Sequence, residues 1–420
     1  MDGQETAVAT RGGGFLLAEV SPREVFTPED LTEEQRLVAR TVQEFVEREV
    51  LPHTAALEAK DWDLTRRLIR RIGDLGVLGA EVPEAYGGLA LDKSTSLVII
   101  EALGPAASFA LSVGAHIGIG MLPIVFFGTE AQKTRYLPRM ARGELIGAYA
   151  LTEPTAGSDA MSIRTRAVRT PEGDAYLLSG TKQFISNAAF ADLFVTFAKV
   201  EGEHHTAFLV ERSTPGLTVG DEEHKMGIKG TSTASLFFEQ ARIPAENVLG
   251  EIGQGHKVAF NILNVGRFKL AAGCLGGAKA AFRDALTYAK ERRQFGKPLV
   301  DFGLIKQKLA QMAVRLYVSE SMVYRTGGLV DQALGGQHAD SRAVMAALEE
   351  YAVECSINKV FVSEVLDFVV DEMVQIYGGY GFIEEYDICR AYRDARLIPI
   401  GGGTSEIMKE IIWKWHSLGG

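Results

Sequence analysis

Tyr149-Ala150-Leu151-Thr152-Glu153-Pro154-Thr155-Ala156-Gly157-Ser158-Asp159 is where this chain stops reading as helix and starts reading as strand and loop. A short apolar run leads into small and hydroxyl side chains interrupted by one proline and one glycine. Such a loop exposes backbone N–H groups and hydroxyls, which suit the acceptor-rich edge of a ring cofactor or a pyrophosphate. On composition alone an ordinary Pro/Gly turn is the first reading, so the segment takes its meaning from its flanks.

Upstream, the periodicity is helical. Thr32 and Gln35 form a capping box ahead of Val38, Val42, Phe45, Val46 and Val50, with Pro52 expected to stop the run. A second amphipathic stretch spans 64–75 and ends at Gly76. Residues 97–103 and 117–127 are strongly apolar and read as buried helices. Downstream, short β-branched and aromatic runs at 176–180, 193–197, 206–210 and 217–219 alternate with Gly, Pro or charged turns, which predicts a compact antiparallel β unit. Its last strand is expected at 235–238. After Gly255 the helical period returns over about 256–290, 304–333, 341–378 and from about 404, which suggests a bundle. The expected organisation is a lead segment 1–24, a helical domain 25–146, a β domain 147–253 and a four-helix bundle 254–420: mainly α with a central β domain.

At 420 residues the chain can bury a large core, and 46% hydrophobic with 23% charged residues is ordinary for a soluble protein. The net charge of −10 argues against nucleic acid or an anionic membrane as partner. Cys274, Cys355 and Cys389, with no CxxC and no nearby histidine, build neither a disulfide framework nor a zinc site, so no metal is expected and a reducing compartment is. Residues 1–19 carry Asp2 and Glu5 and no apolar run of signal-peptide length, which predicts a cytoplasmic location.

Four further segments carry candidate chemistry. Lys182-Gln183-Phe184-Ile185-Ser186-Asn187 offers an aromatic ring and a hydroxyl on one strand. Glu291-Arg292-Arg293-Gln294-Phe295-Gly296 ends a helix with paired arginines, by default a solvated helix end. Gln375-Ile376-Tyr377-Gly378-Gly379-Tyr380-Gly381-Phe382 allows close backbone approach. Ile400-Gly401-Gly402-Gly403-Thr404-Ser405-Glu406 opens the last helix, where free N–H groups favour an anion.

In this order, over about residues 25–420, these motifs resemble the FAD-dependent acyl-CoA dehydrogenases. Gly14-Phe15-Leu16-Leu17, Phe26-Thr27-Pro28 and Phe302-Gly303-Leu304-Ile305-Lys306 are most similar to the very-long-chain branch and related bacterial enzymes. The resemblance implies FAD contacts at Tyr149, Leu151, Thr152, Gly157, Ser158, Phe184, Ile185 and Ser186. It implies further contacts, with the FAD of a neighbouring subunit, at Arg292, Gln294, Phe295, Phe302 and Gly303, with Gln375, Gly378 and Gly379 facing them. Thr404, Ser405 and Glu406 complete the cofactor set, and Ser158, Asn264 and Arg267 would touch the acyl-CoA. A homodimer or homotetramer passing electrons to an electron-transfer flavoprotein is implied as well.

One position departs from the pattern. The family removes the substrate α-proton with a glutamate that falls here at 402, or in a minority at 266; this chain has Gly402 and Gly266. Neither side chain accepts a proton, so the catalytic base is unassigned. The backbone N–H at 402, which in the family polarises the thioester carbonyl, survives. Glu406, Glu384 and Glu385 are the candidate replacements. The resemblance therefore predicts a dehydrogenase of long-chain acyl-CoA, with two alternatives: the same fold running monooxygenase-like flavin chemistry, or an FAD and acyl-CoA binding protein with impaired turnover.

Overall fold

The computed structural model describes residues 12–14, 25–335 and 341–417. The run at 15–17 and the rest of the lead segment 1–24 lie outside them. Within the lead segment, the Gly12 and Gly13 N–H groups donate to the carboxylates of Glu350 and Glu354 at 2.8 and 2.6 Å.

The first helical unit forms as its local signals direct. Thr32 and Gln35 close both halves of a capping box on Glu33–Phe45, which buries Val42 and Phe45. Pro52 does not stop the run. The chain continues through a wide turn, Val46–Val50, and a tight one, Leu51–His53, in which the missing proline N–H falls near the start of a turn and costs little. Asp61 caps Trp62–Asp74, and Gly76 leaves that helix at φ +78°. Lys93–Leu103 is buried along almost its whole length. Two helical stretches, Ser108–Phe127 and Gly255–Glu291, are long and apolar enough to cross a membrane, but 72% and 67% of their apolar windows lie buried inside the protein. They are core helices here.

Eight strands follow: β1 Gly147–Ala150, β2 Arg166–Arg169, β3 Ala175–Ser186, β4 Leu193–Val200, β5 His204–Glu211, β6 Leu217–Glu222, β7 Thr233–Pro244 and β8 Val248–Leu249. The sheet order is β6-β7-β3-β2-β4-β5-β8, with β1 also on β4. Pairing is predominantly antiparallel, while β4 runs parallel to β1 and β2. The short β8, paired with β5, ends the sheet beyond the strand expected to be last.

The third unit is helical. Gly255–Glu291, Gly303–Ala333 and Ala352–Tyr377 are its long members. The expected 341–378 helix is broken at Tyr351, leaving Ser341–Glu350 separate, and Asp387–Ala395 is an additional helix. The final helix, Ser405–Ser417, lies along 352–377. Close approach fixes the junction with the first unit: a Cβ on Gly276 would stand 1.9 Å from the Glu101 carbonyl oxygen, so only glycine lets helices 93–103 and 255–291 touch backbone to backbone.

A buried charge cluster locks the same junction. Glu81 accepts hydrogen bonds from Lys93, Lys269 and, at 3.0 Å, the Ser96 hydroxyl. Burial alone would push its carboxyl up, but the two ammonium groups outweigh that and hold it down to about 2. A carboxyl lowered in the folded state contributes stability above its unfolded pKa and loses it as pH falls through the folded one. Stability should therefore drop between about pH 4.5 and 2. In Glu81→Gln, which is less stable throughout, that acid slope should flatten; urea midpoints measured across this range check it, and an unchanged slope removes Glu81 from the acid transition.

Candidate active site

Where the three units meet, they enclose a cavity of about 2020 Å³. Strand β1 and the loop after it form one wall, the β3 segment Gln183–Ser186 a second, helix 255–291 a third, and the 400–404 loop a fourth.

The first wall is a folded-back loop. Glu153 and Ala156 exchange backbone hydrogen bonds at 3.0 and 3.1 Å, and the Gln183 N–H donates to the Thr152 carbonyl at 2.9 Å. Its anchor is an ion pair the sequence did not announce. Lys182, fully buried, donates to Glu153 at 2.7 Å and to the Leu151 carbonyl at 3.1 Å. Glu153, 5% exposed, also accepts from the Thr165 hydroxyl and N–H and from the Arg164 N–H, at 2.6, 3.0 and 2.5 Å. Burial opposes both charges. It pulls the Lys182 ammonium down to about 8, while Lys182 and the surrounding donors overcome it for Glu153 and hold that carboxyl below its usual range. Both residues sit inside the motifs singled out in the sequence, and no local pattern marks their pairing.

Thus held, the loop keeps the N–H groups of Thr152, Gly157 and Ser158 without an acceptor among the described residues, and all three residues line the cavity. Beside them Phe184 is 58% exposed, at φ +58°, where the β3–β7 register slips between Lys182 and Ile185. A non-glycine residue in the left-handed region inside a strand is a local strain. Here it turns an aromatic face into the cavity. Unpaired donors beside an uncovered aromatic surface fit a flat heterocycle with an acceptor-rich edge, as FAD has.

The far wall carries the bare position. Gly402 has φ +68° and Gly403 φ +96°, and a Cβ on Gly402 would meet nothing within 4 Å. Neither N–H has a partner among the described residues, whereas the Gly402 carbonyl accepts from Arg267 Nε at 3.1 Å. Arg267 in turn donates to Asn264 Oδ1 at 2.8 Å. Lys359 supports the loop from below through the Pro399 carbonyl at 2.9 Å, and burial lowers its ammonium to about 8.

Of the residues singled out in the sequence, Tyr149, Leu151, Thr152, Gly157, Ser158, Phe184, Ile185, Ser186, Asn264, Gly266, Arg267, Gly402 and Thr404 line this one cavity. Ser405 and Glu406 follow on the next helix outside the lining, with Ser405 buried and Glu406 exposed. Arg292, Gln294, Phe295, Phe302, Gly303, Gln375, Gly378 and Gly379 are brought together elsewhere, at the far end of helices 255–291 and 352–377. There Arg292 lies 5.6 Å over the Tyr380 ring, Phe295 is 93% exposed and packs edge-on to Phe302, and Tyr288 stacks on Tyr377. Of the proposed replacement carboxylates, Glu384 pairs with Arg393, and neither it, Glu385 nor Glu406 lines the cavity. Asp394 does line it, with burial pushing its carboxyl up to about 6, but one of its oxygens accepts the Ile228 N–H.

The chain matches three family models in order: acyl-CoA dehydrogenase N-terminal domain over residues 32–144, middle domain over 148–241 and C-terminal domain over 253–416. It belongs to the acyl-CoA dehydrogenase family, whose members are FAD-dependent oxidoreductases binding acyl-CoA. A Bacillus subtilis protein named "Probable acyl-CoA dehydrogenase" is 51% identical over 97% of this chain and 70% of its own length. The bovine mitochondrial very-long-chain specific acyl-CoA dehydrogenase is 39% identical over 96% of this chain, which spans only 60% of that relative. Among solved structures, an acyl-CoA dehydrogenase complexed with FAD from Bacillus anthracis superposes with a TM-score of 0.96 at 50% identity, covering 98% of this chain and 72% of the other.

Proposed function

We propose that this protein oxidises a long-chain acyl-CoA to the trans-2-enoyl-CoA, as a cytoplasmic homodimer or homotetramer that passes electrons to an electron-transfer flavoprotein. The reading is carried by the two facing walls: unpaired N–H donors and Phe184 on one side, the unpaired Gly402 N–H and Arg267 on the other. In this reading the units 25–146, 147–253 and 254–420 all contribute to the lining, the first through residues between Ile100 and Ile119.

Bound FAD supplies the acceptor for the two electrons of the substrate β C–H bond. The residues of the chain bind and orient. Thr152, Gly157 and Ser158 would offer the cofactor backbone donors, Phe184 and Tyr149 aromatic surface, and Ile185 and Ser186 would hold it from β3. The Gly402 N–H would donate to the thioester carbonyl, which acidifies the α-carbon. Ser158, Asn264 and Arg267 border the path of the CoA arm, and Thr404, Ser405 and Glu406 lie toward the nucleotide end.

Arg292, Gln294, Phe295, Phe302, Gly303, Gln375, Gly378 and Gly379 do not line the cavity of their own protomer, and in this reading they serve the partner's FAD. The exposed Arg292 makes no ion pair among the described residues. Arg292→Ala should therefore lower FAD affinity by roughly 10- to 100-fold, the worth of a charge-assisted phosphate contact, while apoprotein stability stays unchanged. Fluorescence titration with FAD checks this, and unaltered affinity would take Arg292 out of the cofactor site.

The test of the function is an anaerobic titration of the FAD-loaded protein with palmitoyl-CoA. Bleaching of the flavin band supports dehydrogenation. Because Gly402 and Gly266 bear no carboxylate, a second reading is favoured by the same site: a binding protein with little turnover. In that case enoyl-CoA would shift the flavin spectrum while the saturated thioester left it oxidised.

A further inference from the structure

We propose that the hollow between Gly402 and Arg267 is a binding site for a small alkyl carboxylate, which provides the proton acceptor this chain lacks; the inference rests on the acyl-CoA reading of the cavity.

The guanidinium of Arg267 is 6% exposed and forms no ion pair among the described residues. It spends one N–H on the Gly402 carbonyl and one on Asn264. Its Nη2 has no acceptor among the described residues. A second buried cation, Lys359, also spends itself on a carbonyl. Lys359 has the Glu406 and Glu364 carboxylates acting on it, whereas Arg267 has only neutral dipoles in return, and a largely buried guanidinium is completed by an anion.

The chain offers no such anion at this point. None of the carboxylates lining the cavity pairs with Arg267; of them, Glu153 is held by Lys182, Glu101 by Lys279 and the Tyr324 hydroxyl at 2.6 and 2.7 Å, and Asp394 by the Ile228 N–H. Space for a ligand is present instead. Nothing lies within 4 Å of the Gly402 Cβ point, and the half-exposed Ile400 and Leu397 add apolar surface to the same cavity. A carboxylate on a two-carbon chain, the propionate or acetate class, has the size to meet Arg267 through its oxygens and these side chains through its methylenes.

Seated there, the carboxylate faces the α-carbon of a thioester whose carbonyl rests on the Gly402 N–H. The Cα–H bond breaks, its proton forms an O–H bond on the carboxylate, and its electron pair becomes the new C=C bond. The β-hydrogen departs with its own electron pair to the acceptor that FAD supplies, so charge and electrons balance. A thioester whose acyl chain ends in its own carboxylate would bring the same group into the hollow.

The experiment uses FAD-loaded protein and propionate. Ligand-observed NMR should show saturable propionate binding, weakened at least tenfold in Arg267→Gln and also in Gly402→Glu, whose own carboxylate fills the hollow. Flavin reduction by palmitoyl-CoA should rise saturably with propionate in the parent chain only. Comparing a dicarboxylic mono-thioester with its monocarboxylic counterpart, both without propionate, separates a substrate-borne carboxylate from a free one. Absence of binding, or equal binding by the parent and Gly402→Glu, overturns the proposal even if Arg267→Gln does not fold. If propionate binds as expected but neither parent nor Gly402→Glu is reduced by any acyl-CoA, the site stands and the dehydrogenase reading falls.

Discussion

Anaerobic palmitoyl-CoA is expected to bleach the flavin of Gly402→Glu roughly 10²–10⁴ times faster than that of the parent chain, the usual worth of a positioned general base. That corresponds to about 3–5 kcal/mol off the barrier. Three features favour the gain. The Cβ point is open, the Arg267 guanidinium stands ready to hold the new carboxylate ionised, and the backbone N–H that orients the thioester is already in place. One feature opposes it. Position 402 lies at φ +68°, which a residue bearing a Cβ adopts at a cost of about 1–2 kcal/mol. The cost should appear as a lower unfolding midpoint, since it burdens the folded state as a whole and not the transition state alone. Stopped-flow reduction beside thermal unfolding separates the two effects. If the variant is folded, yellow and no faster than the parent, position 402 does not face the substrate α-carbon.

The second large effect is structural. Lys182→Met should cost about 3–5 kcal/mol, because it leaves the Glu153 carboxylate buried without its cation. The loss should reach the cavity too, since Lys182 ties the Leu151 carbonyl and Glu153 together directly beneath the N–H donors of the loop. FAD affinity is therefore expected to fall with stability. The double variant Lys182→Met/Glu153→Gln removes both charges and should recover most of the stability. The pH dependence has a definite sign. Without its partner the Glu153 carboxyl is raised by burial above its unfolded value, so the folded state gains on protonation and the deficit of Lys182→Met shrinks as pH falls. Urea unfolding of the single and double variants at neutral and mildly acidic pH tests this. A single variant within about 1 kcal/mol of the parent, or a deficit that grows in acid, would show that the pair does not support the loop.

Local pattern carried much of this protein. The Thr32–Gln35 box, the helical period before Gly147, the β-branched and aromatic runs of β3 to β5 and the return of helix after Gly255 depend on neighbours a few residues apart, and the chain obeys them. Hydroxyl-rich loop, aromatic strand and glycine run could likewise be recognised as stretches of sequence, and the order of the motifs indicated the family. Where local rules met tertiary packing, packing prevailed: Pro52 was absorbed into a turn, and helix 341–378 broke at Tyr351.

Everything that decides the chemistry spans long separations. Glu81 finds Lys93 and Lys269 across 12 and 188 positions, Lys182 finds Glu153 across 29, and Arg267 reaches the Gly402 carbonyl across 135. No periodicity encodes such meetings, because they follow from which helix faces come together, as Gly276 shows by admitting the Glu101 carbonyl where any side chain would clash. The sequence by itself determined the order of units and the missing carboxylate at 402. Only the folded chain decided that the missing charge leaves a buried guanidinium unanswered, since a desolvated cation is defined by what surrounds it in space.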